Sequence, residues 1–512
     1  MFRKNYNVKI NLPGGIVAAG DLYAVADAAA RAKVEDMQFG ARQQLFCKVV
    51  PRYGDAFLQE LDRAGIFYET EKEQYPNIIS SYVTEGVFGK AQWLSEGLYK
   101  DILDGFEFRP RLKLNLVENS QCLVPFFSGH LNYISSAVNN HWHLVLRLPG
   151  TNRLYSWVNG VYSPDIPRLS KLIEEALLEG AAAAAIANPD DHPDWGQRLY
   201  DTVGVNGHFG ASESMPALQL PTFNLPYYEG FNRNGNSYWL GIYRREELFP
   251  VTFLQDVCLL ALRTKLGQLY TTPWKSLLIK GIAGQDLPDW EYVLGKFRMN
   301  VRHASNELNW QIEDGSVEGL RLKRYLVRQL DQDDVRTEGL CFAIKTTRGS
   351  GLSGSVIIRR QEGIRPGQQK LLDRYSIWHT PDLDAHSREV VLYRKDIEKE
   401  NLFTYLVSLC KEFYRRRSEQ QPSLLSGTGP GYGGTDKLPP KTTGFQCPHC
   451  LTIYDEQYGD PEGQVAPGTP FQQLGPEYEC PVCGAPGADY KTMEKTPEFS
   501  GDNRTFISGT NP

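Results

Sequence analysis

The sequence predicts an α+β protein: a large body made of two related halves, with a small metal-binding module tethered behind it. Three observations carry this. Residues 250 to 282 repeat the pattern of residues 18 to 50 at a constant offset of 232 residues, with no gap. Residues 418 to 444 are rich in Gly, Pro and Ser. Beyond them stand two C-x-x-C pairs, Cys447-Pro-His-Cys450 and Cys480-Pro-Val-Cys483. An offset this long is no solenoid period. It indicates duplication of a large unit, and so a body with a pseudo-twofold axis.

In the first half, a short alternating strand covers Tyr6 to Leu12, and Pro13-Gly14-Gly15 makes a turn. Gly14-Gly15 lacks the spacing of a phosphate-binding loop. A helix follows from about Asp21, its expected N-cap, to Arg31, with Leu22, Val25, Ala26 and Ala29 on one face. Residues 37 to 50 read as one strand. The second half matches in kind: Leu254 answers Leu22, Val257 answers Val25 and Lys280 answers Lys48. After each repeat comes an α/β section. The first has strands at 111–117 and 141–148 and a helix near 166–178. The second has a helix at 317–330, strands at 340–345, 354–360 and 389–393, and a last helix from about Lys395 to Arg417. The linker of about 27 residues, taken as a coil, spans roughly 25–30 Å.

The chain has 512 residues, enough for several domains. Its formal charge of −6 and pI near 5.9 argue against general nucleic-acid or anionic-membrane binding. No run is long enough to span a bilayer, and the start, Met1-Phe-Arg-Lys-Asn, lacks a hydrophobic signal core. Cys47, Cys122, Cys258, Cys341 and Cys410 are scattered singly and read as reduced core residues, so the cytoplasm is the expected compartment.

Each C-x-x-C pair can hold two thiolates on a tight turn, and two facing turns make a tetrahedral four-sulfur site suited to zinc or a single iron. With every position filled by protein, such a site can pass an electron but cannot bind a substrate. Between the pairs run Tyr454-Asp455, Gly459-Asp460-Pro461, Gly463 and Pro467-Gly468-Thr469-Pro470-Phe471. On these residues the stretch 445–493 resembles rubredoxin. The resemblance implies one iron held by Cys447, Cys450, Cys480 and Cys483. Three positions depart from the family: Leu451 replaces a usual glycine, Tyr478 a usual tryptophan and Tyr490 a usual phenylalanine. A zinc ribbon that staples the fold is the alternative reading.

The body resembles the nitrite/sulfite reductase family, in which two ferredoxin-like half domains alternate with two α/β domains around sirohaem and a four-iron cluster. Gly40-Ala-Arg42-Gln43 is similar to the family's T-x-R-Q strand, and Pro110-Arg111-Leu-Lys113 to its basic strand. The resemblance implies that Arg42, Arg111 and Lys113 grip an oxyanion or sirohaem carboxylates; the alternative is ordinary strand-end charge. In the second half Thr272-Pro-Trp274-Lys275 stands in the R-Q position, with Lys275 the nearest substitute for the arginine. The family's C-x5-C and C-x3-C ligands are missing, so no four-iron cluster is expected. His130, His141, His143 and His303 are candidate axial or metal ligands or, more simply, satisfied histidines. Arg415 to Arg417 read as a solvated helix end.

The expected domains are ferredoxin-like halves at 5–95 and 225–290, α/β domains at 105–215 and 295–417, the linker at 418–444 and the rubredoxin-like domain at 445–493. Three functions follow. The first is an iron electron-transfer protein serving nitrite or sulfite reduction through a redox partner. The second is a sirohaem-dependent oxidoreductase fed by its own rubredoxin. The third is a degenerate reductase scaffold with a structural metal.

Overall fold

The computed structural model describes residues 6–70, 73–90, 93–180, 183–206, 215–347, 350–361 and 373–420 of the body. Of the tail it describes 443–449, 452–454, 456, 459–460, 463, 465–466, 468–481 and 483–494. The body and the tail are separate compact units.

Duplication is visible in the backbone. Helices Ala19–Arg31 and Val251–Arg263 stand 232 residues apart, as do strands Asp36–Phe39 and Gln268–Thr271. Even the left-handed residues repeat at that offset: Lys33 (φ 59°) with Lys265 (61°), and Gln43 (60°) with Lys275 (58°). The first helix begins at Ala19, with Ala18 as a cap that makes no side-chain bond. Asp21 therefore sits inside the first turn, where its charge favours the positive end of the helix dipole.

Each half carries a five-stranded antiparallel sheet, and the halves exchange an edge strand. Phe249–Pro250 pairs with Asp36–Phe39 of the first half, whose sheet continues through Leu45–Val49, Tyr6–Ile10 and Tyr68–Glu69. Ile16–Ala18 pairs with Gln268–Thr271 of the second, continuing through Leu277–Ala283, Ser237–Ile242 and Gly230–Asn234. The two repeat helices pack together, and one core serves both sheets: Leu22, Val25 and Ala29 join Leu254, Val257 and Ala261.

The two α/β sheets share a mixed order, two parallel pairings followed by antiparallel ones. The first runs Ile79–Ser80, Leu114–Val117, Leu131–Ser135, His141–Arg147 and Leu154–Ser156, with Val161–Tyr162 also on His141–Arg147. The second runs Trp310–Ile312, Phe342–Lys345, Val356–Gln361, Arg374–His379 and Val391–Ile397. Each has its own core, around Trp142 in the first and Phe342 in the second. The final helix is Leu402–Gln420, because 391–397 is spent on an edge strand. There Arg415 pairs with Glu412 and Glu419, and Arg416 with Glu412 and Asp382. Most of the Gly/Pro/Ser-rich linker lies outside the described residues. No helix among the described residues is long and apolar enough to cross a membrane.

The tail is a three-stranded antiparallel sheet with Thr443–Gln446 between Ile453–Tyr454 and Lys491–Glu494. Its core is aromatic. Phe471 stacks on Phe445 at 4.2 Å and meets Tyr454, Tyr478 and Tyr490 at 5.4, 6.2 and 5.1 Å.

Candidate metal centre and cation-lined cavity

Strand Thr443–Gln446 delivers Cys447 to the first turn, where its N–H donates to the Thr452 carbonyl (2.9 Å). In the second turn the Cys480 N–H donates to the Ala485 carbonyl and the Gly484 N–H to the Cys480 carbonyl, both at 2.8 Å. Gly484 takes φ +71°, a conformation strained for any residue with a side chain. The Sγ atoms of Cys447, Cys480 and Cys483 all lie within 4.8 Å of one another. Cys447 and Cys483 are 3.6 Å apart. A tetrahedron with metal–sulfur bonds of about 2.3 Å has edges of about 3.8 Å, so this spacing suits one thiolate-bound ion. Cys447 and Cys480 are buried and Cys483 is exposed, which leaves one sulfur at the surface for electron exchange. Cys450 and Leu451 lie outside the described residues.

Two of the three family departures lie around these sulfurs. The Tyr478 hydroxyl donates to Asp460 Oδ2 at 3.0 Å, and that of Tyr454 to the Thr469 carbonyl at 2.9 Å. The Tyr490 hydroxyl is buried without a hydrogen bond of ordinary geometry.

In the body, the turns of both half domains meet both α/β sheets around a small cavity. Arg42 and Trp274, equivalent by the repeat, both line it, with Lys113, Phe126, Cys122 and Cys341. Arg42 lies in the tight turn between Asp36–Phe39 and Leu45–Val49, not on a strand: residues 37 to 50 are two strands, because Gln43 turns the chain with φ 60°. The Gln43 amide donates to the Ser80 and Thr271 carbonyls and fills the space a side chain on Gly15 would need. Arg42 is 9 % exposed and donates to the carbonyls of Asn77 (2.7 Å) and Leu114 (2.9 Å). Burial brings its guanidinium down to about 10.

A larger cavity of about 1090 Å³ adjoins it. Lys113, His130, Arg147, Lys345, Arg359 and Arg388 line it. Arg147 donates to the carbonyls of Gly129, Thr151 and Ser128, and Arg388 to Asn152 Oδ1 and the Gly351 carbonyl. Among the described residues, ion pairs leave out Arg42, Lys113, Arg147, Lys345, Arg359 and Arg388 altogether. The Nε atoms of Arg359 and Arg388 are buried with no partner. Burial, aided by Arg359 and Arg388, brings Lys345 down to about 7; burial and Arg147 bring Arg388 to about 9. Glu73, Glu313 and Asp314 line the smaller cavity and act on Arg42, Lys113 and Lys345 without forming ion pairs with them, so an anion in direct contact would offset more of the cost of burying these cations.

The structure separates the three cations expected to act together. Lys113 lines both cavities, but strand Leu114–Val117 begins after it. Arg111 lines neither: its guanidinium pairs with Glu174 (3.2 Å) and Glu179 (2.6 Å). Lys275 is buried against Glu247 (2.6 Å) and near Asp314 (3.4 Å), so Trp274 rather than Lys275 faces the cavity. His130 lines the larger cavity, held neutral by burial and by Arg147, Lys113 and Arg42, which bring it to about 2. His303 pairs with Glu229 at 2.6 Å. Burial lowers His143, and His141 Nδ1 lies 2.9 Å from the Asn139 carbonyl; among the described residues neither joins a metal-ligating cluster. Sequence reasoning missed Arg147, Lys345, Arg359 and Arg388. Arg147, Lys345 and Arg359 lie on three different strands and Arg388 in the loop before Val391–Ile397, and only the fold brings them together.

Cysteine spacing, turn geometry and the aromatic core define a mononuclear thiolate domain of the electron-transfer type. The rubredoxin family profile matches residues 444–490. A probable rubredoxin, HupI, of Bradyrhizobium diazoefficiens is 44% identical over 52 residues, 10% of this chain and 75% of that protein. The rubredoxin of Acinetobacter baylyi is 38% identical over 50 residues, 10% of this chain and 93% of that protein. Through this domain the chain belongs to the rubredoxin family, and an iron-based electron-transfer function follows for the domain. The high molecular weight rubredoxin of Moorella thermoacetica is 46% identical over 50 residues, but the match spans only 22% of its length. The body is similar to the NirA protein of Mycobacterium tuberculosis, with a TM-score of 0.64 at 15% identity, covering 81% of this chain and 82% of that one. At that identity the likeness is one of fold, and it is the sulfite reductase-like fold expected from the sequence.

Proposed function

We propose that the chain is an iron-binding electron-transfer protein whose rubredoxin domain exchanges single electrons with a redox partner, in the service of nitrite or sulfite reduction. The observation that carries this is the set of three sulfurs gathered within 4.8 Å, with Cys450 as the fourth ligand implied by the family. Thiolates that stay bound in both oxidation states keep reorganisation small. The NirA-like fold of the body supports the link to nitrite or sulfite. The test is a visible spectrum, oxidised and dithionite-reduced, with metal analysis of natively expressed protein. Ferric-thiolate bands that bleach on reduction, with about one iron per chain, are expected. Zinc in place of iron overturns the proposal.

The cation array favours a second reading, in which the body also holds a polycarboxylate tetrapyrrole of the sirohaem class. The residues fit such a group: Arg42, Lys113, Arg147, Lys345 and Arg388 would take its carboxylates, and the orphaned Nε of Arg388 would gain an acceptor. When bound, the group would supply the iron for reduction of a small oxyanion. A Soret band in the native protein supports this reading, and its absence from cells making sirohaem overturns it.

The array also predicts a pH dependence. Lys345 stands near 7 in the folded protein against an ordinary 10.5. The unfolded chain therefore binds the extra proton between those values, so the group destabilises the fold below about 7 and the penalty fades as pH rises towards 10.5. A bound anion favours the protonated form. Affinity for a tetracarboxylate porphyrin is expected to fall as pH rises from about 6 to about 9, with proton uptake on binding seen by calorimetry in several buffers. Lys345→Met is expected to flatten that dependence.

A further inference from the structure

Among the described residues of the rubredoxin domain, the hydroxyl of Tyr490 is the one buried side-chain nitrogen or oxygen without a hydrogen bond of ordinary geometry. The ring is held by Phe471 at 5.1 Å and Tyr478 at 6.1 Å, so the hydroxyl cannot swing out to water without breaking the aromatic core. The groups it faces are the Cys480 sulfur and the Tyr478 hydroxyl. Tyr478 already donates its proton to Asp460. A phenol buried without a partner costs free energy comparable to a lost hydrogen bond. A metal-bound thiolate at Cys480 would supply the missing acceptor.

We propose that Tyr490 is a positioning residue of the iron centre, donating an O–H···S hydrogen bond to the Cys480 thiolate and raising the reduction potential. The inference rests on the reading that Cys480 ligates iron. Its physical basis is charge. Reduction adds one electron to a centre whose four thiolates already carry negative charge, and the added density spreads onto the sulfurs. A donor aimed at one of them binds the reduced form better than the oxidised form. A phenylalanine ring, usual in the family at this place, has no such donor.

The experiment is redox titration of the full chain, wild type against Tyr490→Phe and Tyr478→Phe, with iron content measured on each sample. Tyr490→Phe keeps the ring and removes only the oxygen. It is expected to keep its iron and visible bands and to shift the one-electron equilibrium several-fold to tenfold toward the oxidised form; tenfold is about 59 mV. Tyr478→Phe, whose hydroxyl is engaged with Asp460, is expected to shift it less. Iron retained with an unchanged potential in Tyr490→Phe overturns the inference and leaves the iron assignment standing. Wild-type protein that holds no iron overturns the assignment itself. Should Tyr490→Phe fail to take up iron, 3-fluorotyrosine at position 490 keeps ring and hydroxyl and makes a stronger donor. A higher potential then supports the inference, and an equal or lower one overturns it.

Discussion

Cys480→Ala is expected to leave the full chain colourless. Cys480 is 1 % exposed, its N–H and C=O close the second turn, and its sulfur lies in the triad with Cys447 and Cys483. With three thiolates the iron has an open position, exchanges with water and is lost. The described residues of the small sheet are held by an aromatic cluster and a few side-chain hydrogen bonds, and in such modules metal binding is folding free energy, about 10–16 kcal/mol for structural zinc in comparable peptides. The domain is therefore expected to unfold with the metal. The body has its own three cores and should keep its thermal transition. Iron analysis, the visible spectrum and calorimetry check this together. An intact low-temperature domain transition without iron would show that the sheet stands alone.

Glu247→Ala is expected to be the most damaging single change in the body, at about 3–5 kcal/mol. Glu247 is 3 % exposed and accepts from Lys275 Nζ at 2.6 Å and Gln38 Nε2 at 3.0 Å. Against burial, Glu247 and Asp314 hold the Lys275 ammonium above its usual value. Removing Glu247 strands that charge, with only Asp314 at 3.4 Å to compensate. The double variant Glu247→Met/Lys275→Met removes both charges and is expected to recover a large part of the loss. Urea denaturation of the three proteins measures it. Lys275→Met alone should leave anion affinity unchanged, because this lysine is structural.

How much of this was legible in the sequence depends on whether the signal was local. The duplication was readable because helix and strand periods recur at one offset, and the left-handed Gln43 and Lys275 keep that offset in the backbone. The metal ligands were readable because two residues between cysteines is a turn's own geometry. The cavity was not. Arg42 and Lys113 were found only through resemblance, and Arg111, two residues away, is drawn off to Glu174 and Glu179. Arg147, Lys345 and Arg388 carry no common spacing, and tertiary packing alone makes them neighbours. Residues 37–50 read as one strand because the left-handed position of the turn that opens at Gly40 is held by Gln43, where Gly or Asn is the usual signal.

Edge-strand exchange makes the two halves of the body one folding unit. Ile16–Ala18 completes a sheet whose other strands lie between Gly230 and Ala283, and Phe249–Pro250 completes the earlier one. Such pairings raise contact order, and with it the entropy of loop closure to be overcome before either sheet is whole. A nascent first half emerging from the ribosome holds an unsatisfied sheet edge until its twin is made, an exposure of the kind that invites aggregation. Gene fragments cut between the halves should be insoluble when expressed apart and should complement each other when expressed together.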